Sequence, residues 1–124
     1  GSTTAKNVLT VGSFSMDDNG TNKGGTDFSS AGPTNDFRIK PEVCGPGENL
    51  GVATWSEGEP TATNLYQTNS GTSFASPAVA GGVALLQQLH KSTFDTYMDG
   101  AAMKALLCHT ADDISEWSGQ DITG

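Results

Sequence analysis

Residues 71–81 read Gly-Thr-Ser-Phe-Ala-Ser-Pro-Ala-Val-Ala-Gly and form the segment of the chain best suited to chemistry. A turn of small residues leads here into an apolar helix, and the hydroxyl group of Ser73 lies at the junction. The start of a helix offers unpaired backbone N–H groups and the positive end of the helix dipole. A serine at this place can attack a carbonyl carbon while nearby N–H groups stabilise the oxyanion that forms. Since Gly71 also allows close backbone approach, the pattern is compatible with nucleophilic catalysis by Ser73.

The same residues are also suited to capping a helix. Thr72, Ser73 and Ser76 are all favourable N-cap residues, and Pro77 suits the first helical turn. Local rules would start the helix at Ser76-Pro77 and leave Ser73 in the preceding loop. Capping is the commoner use of serine, so the residues alone leave both interpretations open.

Two helices are predicted to follow this junction. Residues 74–89 carry apolar side chains on every side at helical spacing, with no charge before Lys91. A helix without a polar face is expected in the middle of a protein larger than itself. The second helix is predicted over residues 101–111, with Asp99 as its N-cap.

Short β-branched runs between glycine and proline residues predict four extended segments. They cover residues 7–12, 39–44, 49–55 and 65–68. The polar residues 16–27 are predicted to form a surface loop or hairpin. Their Asp-Asp-Asn-Gly cluster, residues 17–20, offers oxygen ligands for calcium, but the longer EF-hand pattern ending in Glu is missing. A simple turn is therefore the favoured interpretation.

The composition describes an acidic, Gly-rich and loop-rich chain with the length of one small domain. Among 124 residues there are 16 glycines, and Asp and Glu outnumber Lys and Arg by 14 to 6, which gives a net charge of −8. This charge repels polyanions, so nucleic acid is not an expected partner. No apolar run approaches the ~20 residues needed to span a bilayer, so no membrane partner is expected either.

The two cysteines do not indicate a disulfide scaffold or a zinc site. Cys44 and Cys108 are too few and too far apart in sequence for either. Two half-buried free thiols are favoured over a bond between them, although the sequence leaves the pairing open.

Residues 71–81 resemble the nucleophile motif of the subtilisin-like serine proteases (subtilases, peptidase family S8), Gly-Thr-Ser-x-Ala-x-Pro-x-Val-Ala-Gly, at every fixed position. Further segments resemble other parts of the same family in the right order. They are residues 4–12, 28–34, 38–47 and 106–113. Residues 38–47 resemble the family's Lys-Pro-Asp-x-x-Ala-Pro-Gly segment, and Cys44-Gly45 departs from the small pair that is usual there. The resemblance covers nearly the whole chain.

The resemblance implies a three-layer α/β/α fold with a mostly parallel sheet between helices and a central, buried nucleophile helix. It also implies that residues 1–124 are the C-terminal portion of a single catalytic domain that is truncated at both ends. The missing N-terminal half of that domain is then an expected partner. Exposed sheet edges are expected to favour a homodimer of the chain on its own.

A subtilase is a serine endopeptidase, so the resemblance implies that Ser73 attacks a peptide carbonyl of a polypeptide substrate and forms an acyl-enzyme. The backbone N–H of Ser73 is expected to donate to the oxyanion, and Asn69, Gly71 and Thr72 are expected to bind substrate. The family's side-chain oxyanion donor is an Asn that belongs upstream. Asn7 falls inside a matched strand and does not take that role.

The other two members of the family's catalytic triad are not matched in this chain. An Asp in an Asp-Thr/Ser-Gly setting and a His in a His-Gly-Thr setting should precede Ser73, and neither motif occurs. The two histidines, His90 and His109, both follow it. At 1.5 Å per residue His90 lies about 25 Å along the helix from its start, and His109 ends the second helix, where its ring suits the dipole. We therefore expect the isolated chain to be inactive.

No metal and no cofactor are expected in this chain, whereas calcium is compatible with a full-length family member. The resemblance implies a secreted or extracytoplasmic protein. Two alternatives stay open. One is that the chain is one part of a processed two-chain protease, and the other is that it is a non-catalytic interaction or structural module derived from a subtilase.

Overall fold

The computed structural model describes residues 4–17, 19–20, 22–55, 63 and 65–114. In this part of the chain the elements are β1 (Val11–Met16), β2 (Asn22–Gly25), β3 (Val43–Pro46), β4 (Leu50–Ala53), β5 (Tyr66–Asn69), α1 (Thr72–Phe94) and α2 (Gly100–Thr110). The predicted mixed α/β class is confirmed. Among the residues described, no helix combines the length and the apolarity that a bilayer crossing requires.

Strand β1 is the middle strand of a three-stranded sheet with the order β2-β1-β3. It runs parallel to β3, with Val11 opposite Val43, and antiparallel to β2. Strands β4 and β5 form a separate antiparallel pair. Since one of the three strand pairs in the described part of the chain is parallel, the expected mostly parallel sheet is not confirmed.

Two strands lie further along the chain than their sequence patterns predict. The segments predicted at residues 7–12 and 39–44 become β1 and β3 at Val11–Met16 and Val43–Pro46. Pro41 has no N–H to donate to a ladder, and pairing begins after it, where the amide of Glu42 donates to the carbonyl of Thr10 at 3.1 Å. The extent of each strand is therefore set by its partner. Predicted segments 49–55 and 65–68 correspond to β4 and β5.

Strands β1 and β2 form an antiparallel hairpin, and the described residues between them include a turn. The amide of Gly20 donates to the carbonyl of Asp17 at 2.9 Å, and the amide of Asn19 donates to its carboxylate at 2.9 Å. Gly20 has a φ of 79°, which favours glycine. The turn interpretation is confirmed for these residues, while Asp18 lies outside the described part. No group of three or more metal-ligating side chains occurs in the described ranges.

Helix α1 packs against β3 through small residues. A Cβ atom on Gly45 would lie 2.8 Å from the carbonyl oxygen of Ala75 and 2.9 Å from Cγ2 of Val79, so the strand and the helix are in close contact. Ala75 is the buried residue of α1, whereas Leu85 and Leu89 are 68% and 62% exposed. The expected burial of this helix on all sides is therefore not confirmed, because one face meets the sheet and the opposite face is open.

Helix α2 begins as the sequence predicts. The Asp99 carboxylate accepts a hydrogen bond from the amide of Ala101 at 2.8 Å and caps the helix. The side-chain amide of Gln87 on α1 both donates to and accepts from the backbone of Met98, at 2.9 Å each, and so joins α1 to the loop before α2. Met103 is buried on the inner side of α2.

Both cysteines are free thiols, as favoured from the sequence. Cys44 is half-buried on β3, as expected, whereas Cys108 is exposed on α2, so the expectation that it is half-buried is wrong. Burial raises the pKa of the Cys44 thiol to about 11, against a smaller opposing effect of a hydrogen bond with the Gly12 backbone. Cys44 is therefore protonated at neutral pH and poorly nucleophilic.

An ion cluster that the sequence patterns did not indicate joins the N-terminal segment, β3 and α2. One Glu42 carboxylate oxygen accepts hydrogen bonds from the ammonium groups of Lys40 and Lys104, at 2.5 Å each, and the other accepts from the amide of Thr10 at 2.8 Å. Both lysines also donate to the carbonyl of Val8 at 3.0 Å. The Lys40 and Glu42 side chains are only 7% and 15% exposed, so this is a largely buried cluster.

Ser13 on β1 is 0% exposed, and its hydroxyl group has no hydrogen-bond partner among the residues described. A buried hydroxyl without a partner costs about 1–3 kcal/mol. We expect Ser13→Ala to raise the free energy of unfolding by about 1 kcal/mol, measured by urea denaturation with an unchanged m-value.

Ser29→Ala is the matched control. The hydroxyl of Ser29 is buried as well, but it accepts a hydrogen bond from the amide of Ser13 at 2.9 Å. Its removal leaves that amide without its acceptor, so Ser29→Ala should lower the free energy of unfolding. If Ser13→Ala destabilises the chain as much as Ser29→Ala does, the Ser13 hydroxyl is not an unpaired group.

Candidate functional site

Ser73 is the second residue of α1, and its side chain is exposed. The helix begins at Thr72, so the start at Ser76-Pro77 that local rules favour is wrong. Pro77 lies inside the helix, within its first two turns. The hydroxyl of Ser73 is thus presented from the beginning of a regular helix rather than from a loop.

The capping interpretation of the serine and threonine residues is also wrong. The N-cap residue is Gly71, and no side chain caps this end of α1. The Gly71 carbonyl accepts hydrogen bonds from the amides of Phe74 at 3.0 Å and Ala75 at 3.5 Å. Backbone groups alone therefore hold the first turn, and the hydroxyls of Thr72 and Ser73 are not engaged as caps.

Gly71 connects this turn to the three-stranded sheet. Its amide donates to the carbonyl of Gly47 at 2.7 Å, and the amide of Gly47 donates to the carbonyl of Phe14 on β1 at 3.3 Å. Gly71 has a φ of 154° and a ψ of 153°, which an L side chain rarely adopts. Glycine at 71 therefore allows the backbone to pass from its anchor on the sheet into the helix.

The electrostatic environment of Ser73 is that of an open helix N-terminus. The first amides of a helix have no intrahelical acceptor, and the dipole places partial positive charge there. The first turn of α1 contains no acidic side chain that would offset this charge. The backbone N–H of Ser73 belongs to this group of donors, so the site is suited to an anion or an oxyanion.

Thr72 and Asn69 belong to different elements next to the Ser73 turn. Thr72 is half-buried and lines an open cleft of about 620 Å³, which is also bordered by Gly12 and residues 28–36. Asn69 is the exposed last residue of β5, and its side-chain oxygen accepts from the amide of Ser70 at 2.9 Å. Of the four residues predicted to form the site, the structure brings Gly71, Thr72 and Ser73 together at the start of α1 and places Asn69 at the adjoining strand end.

Neither histidine is placed to act on Ser73. His90 lies about 25 Å further along α1, where Nδ1 is 2.7 Å from the carbonyl oxygen of Thr96 and the ring is 4.8 Å from that of Phe94. His109 is in the last turn of α2. Within the described part of the chain, no imidazole or carboxylate is hydrogen-bonded to Ser73.

Gly47 is the residue near the site that the sequence patterns did not single out. Considered locally, the Gly-Pro-Gly sequence of residues 45–47 indicates only a turn that ends a strand. Their contact with Gly71 links positions that are distant in sequence, so no local pattern could have revealed it.

A family model described as "Subtilase family" matches residues 2–122. Relatives include the minor extracellular protease Vpr of Bacillus subtilis, 44% identical over 50% of this chain and 8% of its own length. A PII-type proteinase of Lacticaseibacillus paracasei is 39% identical over 64% of this chain and 4% of its own length. The subtilisin-like protease SBT3.15 of Arabidopsis thaliana is 36% identical over 68% of this chain and 10% of its own length. No solved structure matches the chain significantly.

Proposed function

The chain belongs to the subtilase family, and from this membership we propose that it supplies Ser73 as the nucleophile of a serine endopeptidase. The observation that carries the proposal is the placement of Ser73. Its side chain is exposed on the first turn of α1, where helix N–H groups are available and no side chain acts as a cap. A serine that neither caps a helix nor packs in a core is free for chemistry.

In the proposed reaction, Oγ of Ser73 attacks the carbonyl carbon of the scissile peptide bond and gives its proton to a histidine, which an aspartate orients. The histidine passes the proton to the leaving amine, and an acyl-enzyme remains on Ser73. Water then hydrolyses the ester and regenerates the serine. The backbone N–H of Ser73 donates to the oxyanion of each tetrahedral intermediate.

The turn around Ser73 is proposed to contact the polypeptide substrate. Gly71 lets the substrate backbone approach, while Asn69 and Thr72 line the side that receives the leaving segment. The open cleft beside Thr72 supports this assignment, because an extended peptide needs such a groove next to the nucleophile.

The histidine and the aspartate are proposed to lie upstream, in the N-terminal half of one catalytic domain whose C-terminal portion is residues 1–124. The matched segments make up 10% or less of the three relatives' lengths, which is consistent with a longer protein. The exposed face of α1 gives that half an apolar surface to cover.

Without the upstream half, the chain is proposed to dimerise through open sheet edges. Secretion is proposed because relatives include an extracellular protease.

The test is labelling by a fluorophosphonate probe, which reacts with activated serines. We expect little labelling of the 124-residue chain, and rapid labelling once an upstream half that carries the aspartate and histidine motifs is added. The physical reason is that the triad works as a unit, so the serine without its base is a weak nucleophile. Mass spectrometry of the labelled peptide identifies the modified residue.

Two outcomes would contradict parts of this proposal. Rapid Ser73-dependent labelling of the isolated chain would show that it needs no upstream half. Binding of the upstream half without labelling or peptide hydrolysis would favour the non-catalytic module instead.

A further inference from the structure

The C-terminal end of strand β3 lies directly beneath the start of α1. Gly45 is buried against the backbone of Ala75, and Gly47, just after the strand, is buried against Gly71. The catalytic turn therefore rests on the backbone of residues 45–47 and not on side chains.

Gly47 makes two backbone hydrogen bonds in opposite directions. Its carbonyl accepts from the Gly71 amide at 2.7 Å, and its amide donates to Phe14 on β1 at 3.3 Å. The Gly71 carbonyl in turn accepts the first hydrogen bonds of the helix that carries Ser73. A continuous series of backbone contacts thus runs from the middle strand of the sheet through Gly47 to the nucleophile turn.

The space around Gly47 is filled on both sides. A Cβ atom at this position would lie 2.9 Å from the Gly71 carbonyl oxygen and 3.0 Å from Cβ of Ser13, and would overlap Oγ of Ser13. Ser13 is itself fully buried on β1. Any side chain at 47 therefore meets the Gly71 carbonyl on one side and Ser13 on the other, and it must displace both.

We propose that Gly47 is a positioning residue for Ser73. Through its hydrogen bond with the Gly71 amide, Gly47 sets the distance between the nucleophile turn and the sheet. This proposal rests on the proposed function of Ser73. Gly47 does not touch substrate, and it acts only through Gly71, two residues before the nucleophile.

Gly47→Ala is the direct test, in the full-length protease. Relief of the 2.9 Å contact to an ordinary 3.4 Å moves the Gly71 carbonyl by about 0.5 Å. A misplacement of about 1 Å in an active site lowers rates by about 100-fold. We therefore expect kcat to fall by about 10- to 100-fold, with KM for a peptide substrate changing less than threefold. Gly51→Ala is the control, because a Cβ there has no neighbour within 4 Å.

A second variant separates positioning from folding. Ser13→Gly combined with Gly47→Ala removes the two contacts with Ser13 and leaves the one with Gly71. The melting temperature should return to that of Ser13→Gly alone, while kcat stays low. Hydrogen exchange of the Gly71 amide should be faster than in the wild type in both Gly47→Ala variants, and this readout needs no activity.

The outcomes distinguish the two proposals. If the wild-type protease shows no Ser73-dependent hydrolysis, the proposed function fails, and Gly71 exchange alone decides whether Gly47 holds the turn. If the wild type is active, a kcat within threefold of it for Gly47→Ala overturns the positioning role. Recovery of kcat together with the melting temperature in the double variant also overturns it, because folding alone would then explain the loss.

Discussion

If Ser73 is the nucleophile, as proposed, Ser73→Ala in the full-length protein is expected to lower kcat by about a millionfold, the loss found for a subtilisin whose nucleophile was removed. The alanine has no oxygen to form the acyl-enzyme, so only binding and oxyanion stabilisation remain. KM for a peptide substrate should change little, because the hydroxyl acts in the chemical step. Steady-state kinetics with a chromogenic peptide measures both constants.

Ser76→Ala is the matched control for this prediction. Ser76 is an exposed serine on the same helix, and no side chain caps that helix. Its alanine variant should retain wild-type kcat and fluorophosphonate labelling. If Ser73→Ala keeps more than about one thousandth of the wild-type kcat, then Ser73 is not the nucleophile, since loss of a triad member that acts jointly costs more than this.

Glu42→Gln is expected to lower the free energy of unfolding of the chain by about 3–5 kcal/mol, the usual loss when one partner of a buried ion cluster is removed. Glu42 is the common acceptor for Lys40 and Lys104, and Lys40 is almost fully buried. A neutral amide leaves two neighbouring ammonium groups without their counter-charge. Urea denaturation at neutral pH measures the loss, if unfolding is two-state.

The same cluster predicts an acid-sensitive contribution to stability. Burial opposes ionisation of Glu42, but hydrogen bonds from Lys104, Lys40 and the Thr10 amide outweigh it and lower its pKa from 4.5 to about 2. A lowered folded-state pKa means that the contribution is fully present above pH 4.5 and is lost as the pH falls toward 2. Its size is about 3 kcal/mol. The stability difference between wild type and Glu42→Gln should therefore shrink over this range.

Asp36→Asn provides the comparison for an exposed ion pair. Asp36 bonds Arg38 at 2.9 Å, but both side chains are substantially exposed, and such pairs add little to stability. The variant should unfold close to the wild type at neutral pH. An equal loss of stability in Asp36→Asn and Glu42→Gln would contradict the special role of the buried cluster.

The parts of the fold that the sequence predicted well are those decided within a few residues. Asp99 caps α2 because its carboxylate reaches an amide two residues away, and Asp17 forms its turn in the same way. The strand positions were less predictable. The extents of β1 and β3 are set by the hydrogen-bonded pairing between them, and that pairing joins residues about thirty positions apart in the chain.

The ion cluster was not predictable from local patterns. Glu42 and Lys104 are separated by 62 residues, and nothing near either residue indicates a buried partner. The exposed face of α1 shows a second limit of prediction from local patterns. Its apolar residues predict burial on all sides, which is not confirmed, because what they meet depends on which other elements lie beside the helix.

The sequence by itself determined the family, and it led to the proposal that Ser73 is a nucleophile, because residues 71–81 carry a hydroxyl among small residues at a helix junction. Only the tertiary structure decided where that helix begins. Local rules favour Ser76-Pro77, yet the helix starts at Thr72, where the Gly71 amide is bound to Gly47 just after β3 and the Gly71 carbonyl accepts the first hydrogen bonds of the helix. The reason is that the hydrogen bond at Gly71 joins residues distant in the chain, whereas a capping preference reflects only the neighbouring residues.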